Sequence, residues 1–342
     1  MGQKQPGLRR PEYIGIYRRQ LTEVLTGYGP IFEIWHDGAN GGTGYYGGAR
    51  EKRLIDKATY YDWPNTWALA RKLQPEAVIF SDVGPDIRWV GNEKGIAGET
   101  CWETYDPVGE HGGPAAPGDV NAEQSAVGTR HGKHWIPAEC DVSIRPGWFW
   151  HEEENSKVKS PRELMDLYFE SVGRGASFLL NVPPDRRGLL YENDVSSLRD
   201  FGRIRQQTFS KNLAIGAKLK ASSVRGSIDR FSPQTLLNGD RYSFWASDDS
   251  VTTPELELQF PTPVSFNVIR LREAIQLGQR VEAFEINAWR DGSWTPLAKG
   301  TSIGNCRLIR TEGRVETSKL RLRITRSPVP PALSEFGLFA ES

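Results

Sequence analysis

The chain has little cysteine, no net charge and no long apolar run, and each shortage removes a class of function. Three cysteines, Cys101, Cys140 and Cys306, are too few and too scattered for a disulfide framework or a zinc site. Lys plus Arg and Asp plus Glu both number 43. That balance gives neither the basic surface of a nucleic-acid binder nor an acidic solvating tail. No stretch approaches the roughly 20 apolar residues of a membrane span. The opening residues, MGQKQPGLRRPEY, carry no apolar leader segment. Nucleic acid and membrane are therefore not expected partners. No internal repeat stands out, and the glycine-rich GANGGTGYYGG (38–48) has no phosphate-loop spacing, so it reads as a mobile rim of a cleft.

What the chain does have is aromatic rings and strand-end carboxylates. Its 342 residues, more than one core usually spans, include 11 Trp, 11 Tyr and 14 Phe. Flat rings suit the C–H faces of sugars, and they also suit ordinary packing. The runs IFEIWHD (31–37) and AVIFSDVGPDIRWVGNE (77–93) are short and apolar and end in Asp37, then in Asp82, Asp86 and Glu93. Such runs read as strands buried on both faces. In parallel α/β barrels the chemistry lies just past the C-terminal ends of such strands. Two carboxylates at adjacent strand ends, beside Trp35 and Trp89, suit the opening of a glycosidic bond. Spacing alone leaves Asp82, Asp86, Glu99 and Glu103 open as the acid. Asp86 reads as ordering its own turn after Pro85.

Along the chain, Tyr13, Tyr17, Leu21, Val24, Leu25 and Tyr28 form one helical stripe that stops at Gly27, Gly29 and Pro30. YDWPNTWALARKLQP predicts a helix ending before Pro75. Residues 104–134 read as irregular; His111, His131 and His134 sit there, and loop histidines of this kind are usually solvated. CDVSIRPGWFW predicts a strand with an aromatic exit, and Ser160, Pro161 and Glu163 predict a capped helix start. ASFLLNVPP predicts another buried strand, and residues 193–210 a last amphipathic helix. Residues 1–212 thus hold about half of an eightfold barrel, which needs about 250 residues in full. Unpaired parallel edges are avoided in natural proteins, so the expectation is that the first barrel strands are absent from this chain. From residue 213 the period changes to two: ELELQF, SFNVIRLRE, VEAFEINAW and KLRLRIT predict an antiparallel β-sandwich over residues 213–342. The fold class is α/β, the C-terminal portion of a (β/α)8 barrel followed by an all-β, galactose-binding-like sandwich.

The ordered segments YRRQLTEVLTGYGPIFEIWHDGANGG, DWPNTW, SDVGPDIRWVGNEKGIAGETCW, DVSIRPGWFWH and SVGRGASFLLNVPPDRRGLL resemble the α-L-fucosidases of glycoside hydrolase family 29. Within that family they look most like the subgroup acting on α-1,3/1,4-linked fucose. The resemblance implies a retaining exo-α-L-fucosidase acting on fucosylated oligosaccharides or glycoconjugates, with no cofactor. It puts the nucleophile on Asp37 and the general acid/base on Glu93, whose protonation desolvation among Trp89 and Trp102 would favour. It puts Trp35, Arg88 and Trp148 near the sugar. The family's early strands carry histidines that hold fucose hydroxyls, and their absence here puts the activity of the chain as given in question. The tail, with LLNGDRYSFWAS and SEFGLFAES, resembles discoidin-like (coagulation factor type C) modules. That implies a structural calcium at Asn238, Asp240 and Glu335, and it supplies a second reading, a non-catalytic glycan-binding protein working through the sandwich. The family suggests a periplasmic or secreted protein.

Overall fold

The computed structural model describes residues 10–38, 42–46, 49–53 and 55–341. The chain forms two compact units, Met1–Asn92 with Thr104–Glu139, and Glu93–Glu103 with Cys140–Ser342.

In the first unit, helix α1 (Arg10–Gly27) precedes strand β1 (Glu33–Trp35). Leu25 is buried and Leu21 half-buried against Ile34, Ala70, Ala77 and Ile79. The predicted stripe is narrower than expected: Val24 and Tyr28 face outward, and Tyr13 and Tyr17 pack on Tyr61 instead. The glycine-rich segment is not wholly irregular. Its backbone pairs as an antiparallel hairpin, β2 (Gly42–Tyr46) with β3 (Ala49–Arg53); residues 39–41 and 47–48 lie outside the described residues. Helix α2 (Trp63–Leu73) starts with Pro64 in its first turn and ends before Pro75, where the ring would block continuation. Strands β4 (Val78–Ser81) and β5 (Ile87–Trp89) follow, then the short helix α3 (Ala122–Val127), capped by the Asn121 side chain. β1 pairs with β4, β4 with β5, and β5 with the first residues of β6 (Ala138–Ser143), all in parallel.

β6 continues into the second unit, where it neighbours β7 (Ser177–Asn181) and completes the strand order β1-β4-β5-β6-β7. This is a parallel sheet of half-barrel type. All six residues of β6 are buried. β7 is not the fully buried strand expected. Phe178 and Leu180 pack beside Ile144, Leu164 and Leu167, while Ser177 and Leu179 face out, because successive side chains of a strand point to opposite faces. Between β6 and β7, helix α4 (Pro161–Glu170) opens with the predicted capping box: Ser160 Oγ accepts the Glu163 N–H, and the Glu163 carboxylate accepts the Ser160 N–H. Helix α5 (Glu192–Phe209) follows β7 and buries Asp194, which receives two guanidinium hydrogen bonds from Arg145 at 3.0 and 2.9 Å.

The rest is antiparallel: β8 (Lys218–Ala221), β9 (Trp245–Ala246), β10 (Glu255–Glu273), β11 (Ala283–Arg290), β12 (Ser293–Gly300), β13 (Arg307–Arg326) and β14 (Ala332–Phe339). Their order is β12-β11-β13-β10-β14-β9, with β8 also on β10. ELELQF and SFNVIRLRE are one long strand, β10, with a register shift against β13 between Gln259 and Val264. Leu256, Leu258 and Phe260 are buried while Glu257 and Gln259 between them are exposed, so the period-two pattern sets the inner face. On the opposite side, Val268, Cys306, Leu308 and Phe339 pack with Met165 and Phe169 of α4, and Phe201 and Phe209 of α5 join them.

Candidate active site

In the first unit the end of β1 carries chemistry on alternate residues. Ile34 and His36 are buried, Trp35 and Asp37 exposed, so the pleat turns the last two to one face. Trp35 stacks on Phe80 of the paired strand, with centroids 4.5 Å apart and planes 9° from parallel. It remains 40% exposed, leaving indole surface open. Asp37 Oδ1 accepts the N–H of Gly38 at 2.8 Å.

Asp82 lies one residue past β4 and accepts the Gly118 N–H. Burial pushes its carboxyl up to about 6; the Gly118 N–H and Lys57 oppose the rise, and the nearby charge of Asp37 adds to it. Gly38 is needed for this approach, because a Cβ there would lie 2.5 Å from the Gly118 nitrogen and 2.7 Å from Asp82 Oδ2. His36, on the buried face, has its Nδ1 3.0 Å from the Tyr17 hydroxyl, with Trp63 edge-on at 5.7 Å. Burial lowers its pKa to about 4, so the ring is neutral near pH 7.

Arg88 is fully buried on β5. Its guanidinium donates to the carbonyls of Ser125 (2.9 Å) and Ile136 and lies 4.8 Å over the Tyr105 ring. Asp86 does not close its own turn, since the Arg88 N–H goes to the Pro137 carbonyl; its Oδ2 instead accepts the Ile79 N–H at 2.8 Å and pairs with Arg71.

In the second unit Glu93 and Trp148 meet: the indole N–H donates to Glu93 Oε2 at 3.1 Å. Glu93 is exposed, whereas burial among Trp89 and Trp102 was expected. Trp148 is held by Asn181, at the end of β7, whose Nδ2 donates to the Trp148 carbonyl and to Ser143 Oγ, each at 3.0 Å. Sequence reasoning passed over Asn181, although its place at the end of an apolar strand was a usable signal. Gly95, with φ +76°, turns the chain after Glu93 where a Cβ would meet Val142 at 2.7 Å. Glu99 pairs with Arg307 at 3.0 Å. Trp35, Asp37, Asp82 and Arg88 belong to the first unit, Glu93 and Trp148 to the second.

The residues of the calcium expectation have protein partners. Asn238 Oδ1 accepts the N–H of Asp240 within one turn. Both oxygens of Glu335 receive guanidinium donors, from Arg270 and Arg272. Among the described residues no group of three or more His, Cys, Asp or Glu is placed to hold a metal ion. His111, His131 and His134 are exposed.

Comparison with known proteins gives two family matches along the chain. The Alpha-L-fucosidase family model matches residues 2–207, and the F5/8 type C domain model residues 218–336. Alpha-L-fucosidase 1 of Arabidopsis thaliana is 41% identical over 334 residues, covering 96% of this chain and 62% of its own length. A second curated relative is matched over 59% of its length, so the chain spans about three-fifths of these proteins. A glycoside hydrolase 29 family member from an unknown rumen bacterium superposes with a TM-score of 0.79 at 36% identity, over 97% of this chain and 55% of that one. A Ruminococcus gnavus family 29 fucosidase solved in complex with fucose gives 0.83 at 29% identity, over 99% and 68%. By sequence and by architecture, then, the chain belongs to the alpha-L-fucosidase family, glycoside hydrolase family 29, and carries an F5/8 type C domain behind its parallel sheet.

Proposed function

We propose that this protein hydrolyses terminal α-linked L-fucose from glycans, with preference for α-1,3/1,4 linkages and with retention of configuration. The observation that carries the reading is the end of β1, where exposed Trp35 and Asp37 share one face of the parallel sheet in a member of this family. In the first step Asp37 attacks the anomeric carbon while Glu93 gives its proton to the leaving glycosidic oxygen. In the second, Glu93 takes a proton from water, which displaces Asp37 and releases fucose. Such a pair works across about 5 to 5.5 Å. Trp35 offers its open indole surface to the sugar, and Trp148 orients Glu93. Arg88, with its guanidinium buried on backbone carbonyls, acts through the loops it ties to β5 rather than by touching the sugar. The chemistry uses side chains alone, with no metal or organic cofactor.

Fucose release from Lewis-type α-1,3/1,4 trisaccharides, set beside an α-1,2-linked control, tests the reading. Release from the former, abolished by Asp37→Ala, is expected; equal release by Asp37→Ala contradicts it. A second reading, glycan binding without turnover, draws on Tyr242, which is 81% exposed in the turn after Asp240. Titration with fucose and galactose that shows binding but no hydrolysis would favour it.

A further inference from the structure

The segment that follows Glu93 is gripped by side chains of the all-β region. Arg307 donates to the Glu99 carbonyl and to its carboxylate. The hydroxyls of Thr301 and Thr100 are 2.6 Å apart. The Cys101 N–H reaches Ser302 Oγ at 3.4 Å. Gln279 makes a two-point bridge, its Nε2 donating to the Cys101 carbonyl at 2.9 Å and its Oε1 accepting the Glu103 N–H at 3.0 Å. A side-chain amide used in this way satisfies the backbone as a neighbouring strand would.

The loops that present these side chains are tied to one another. Glu273, wholly buried at the end of β10, accepts the N–H groups of Arg280 (2.7 Å) and Val281 (2.9 Å) on one oxygen and of Gly304 (2.7 Å) on the other. Hydrogen bonds to a carboxylate are strong and directional, so Glu273 fixes the turn bearing Gln279 and the turn near Ser302 together. Toward Glu93, the Ala97 N–H donates to the Glu170 carbonyl at 3.0 Å and the Ala97 carbonyl accepts from Arg174 at 2.6 Å.

Packing of the barrel helices on the sheet does not require any of this. The apolar cluster of Met165, Phe169, Val268, Leu308 and Phe339 already supplies it, and burial of that kind is non-directional. The polar grip adds register to one segment, the one that begins with Glu93.

We propose that the all-β region positions the general acid/base: by holding residues 99–103 it sets where Glu93 stands, and Gln279, Thr301 and Arg307 are positioning residues for the reaction. The proposal rests on the reading of Glu93 as proton donor. It gives the F5/8 type C domain a part in catalysis distinct from glycan binding.

The test uses the whole chain and two variants, Gln279→Ala and the shape-conserving Thr301→Val, so that one poorly folding protein does not decide the matter. Hydrogen–deuterium exchange should show the Glu103 amide exchanging about tenfold faster in Gln279→Ala. Amides in residues 161–170 and 319–325 should be unchanged. With aryl fucosides of graded leaving-group pKa, kcat/KM should fall by about tenfold for the poorest leaving groups and little for the best, because only the former need the acid. KM should stay level. Exchange in residues 93–103 that matches the parent overturns the grip. Faster exchange with an unaltered leaving-group dependence overturns the catalytic role. A parent chain that releases no fucose overturns the fucosidase reading and the catalytic role with it, while exchange still decides whether the all-β region holds the segment.

Discussion

The indole N–H of Trp148 donates to the carboxylate of Glu93 across 3.1 Å. A single donor on an exposed carboxylate restricts which way it faces, and a hydrogen bond to a charged group contributes about 1.5–3 kcal/mol at most where water competes little. Trp148→Phe keeps the ring and removes the donor. Steady-state kinetics should show kcat/KM reduced by about tenfold, with the fold unchanged by circular dichroism. A rate equal to the parent's would mean that the contact does not orient Glu93.

Asp82 carries a carboxyl raised to about 6, chiefly by burial, with Asp37 beside it. Above that pH a negative charge appears on Asp82, next to the proposed nucleophile. The pH profile of kcat/KM should therefore bend near 6, and Asp82→Asn, neutral throughout, should remove the bend. The sign for stability follows from linkage. The folded state keeps a proton that the unfolded chain has lost, so this group's contribution declines as pH rises from about 4 to 6 and is flat above.

His36 runs the other way. Its folded pKa is lowered by burial to about 4 from an ordinary 6.5, so protonation opposes folding. The stability it leaves intact above pH 6.5 is lost as pH falls toward 4, by up to roughly 3 kcal/mol. Because Asp82 and His36 oppose each other over the same range, the parent's pH–stability curve alone does not separate them. Denaturant unfolding of His36→Asn should do so: the parent's advantage over the variant grows between pH 4 and 6.5. A constant difference would contradict the assignment.

Arg145 and Asp194 form a fully buried ion pair. Removing one partner strands the other charge, which costs about 3–5 kcal/mol, whereas replacing both by apolar residues of similar size is often neutral. Asp194→Ala should lower the thermal midpoint sharply. Arg145→Met with Asp194→Leu should recover most of it.

Sequence disclosed the features whose causes are local. The capping box at Ser160 and Glu163, the end of α2 before Pro75 and the alternation of Leu256, Leu258 and Phe260 each depend on residues a few positions apart. The strand-end position of Asp37 was legible for the same reason. Features that need distant partners were not. Arg88 reads as a site cation, yet carbonyls 37 and 48 residues away bury its guanidinium. Thr100 meets Thr301 across 201 residues, and neither position carries a local signal. Val24 and Tyr28 fit a helical stripe, but periodicity does not report how wide a face the neighbouring elements cover.

Asp37 is the residue proposed to form a covalent bond to fucose. Incubation with a 2-deoxy-2-fluoro fucosyl fluoride, which slows both steps but leaves the second rate-limiting, followed by peptide mass spectrometry, addresses it directly. A fluorofucosyl label is expected on the peptide containing Asp37, absent in Asp37→Ala. A label carried by Asp82, Glu93 or any other carboxylate would contradict it.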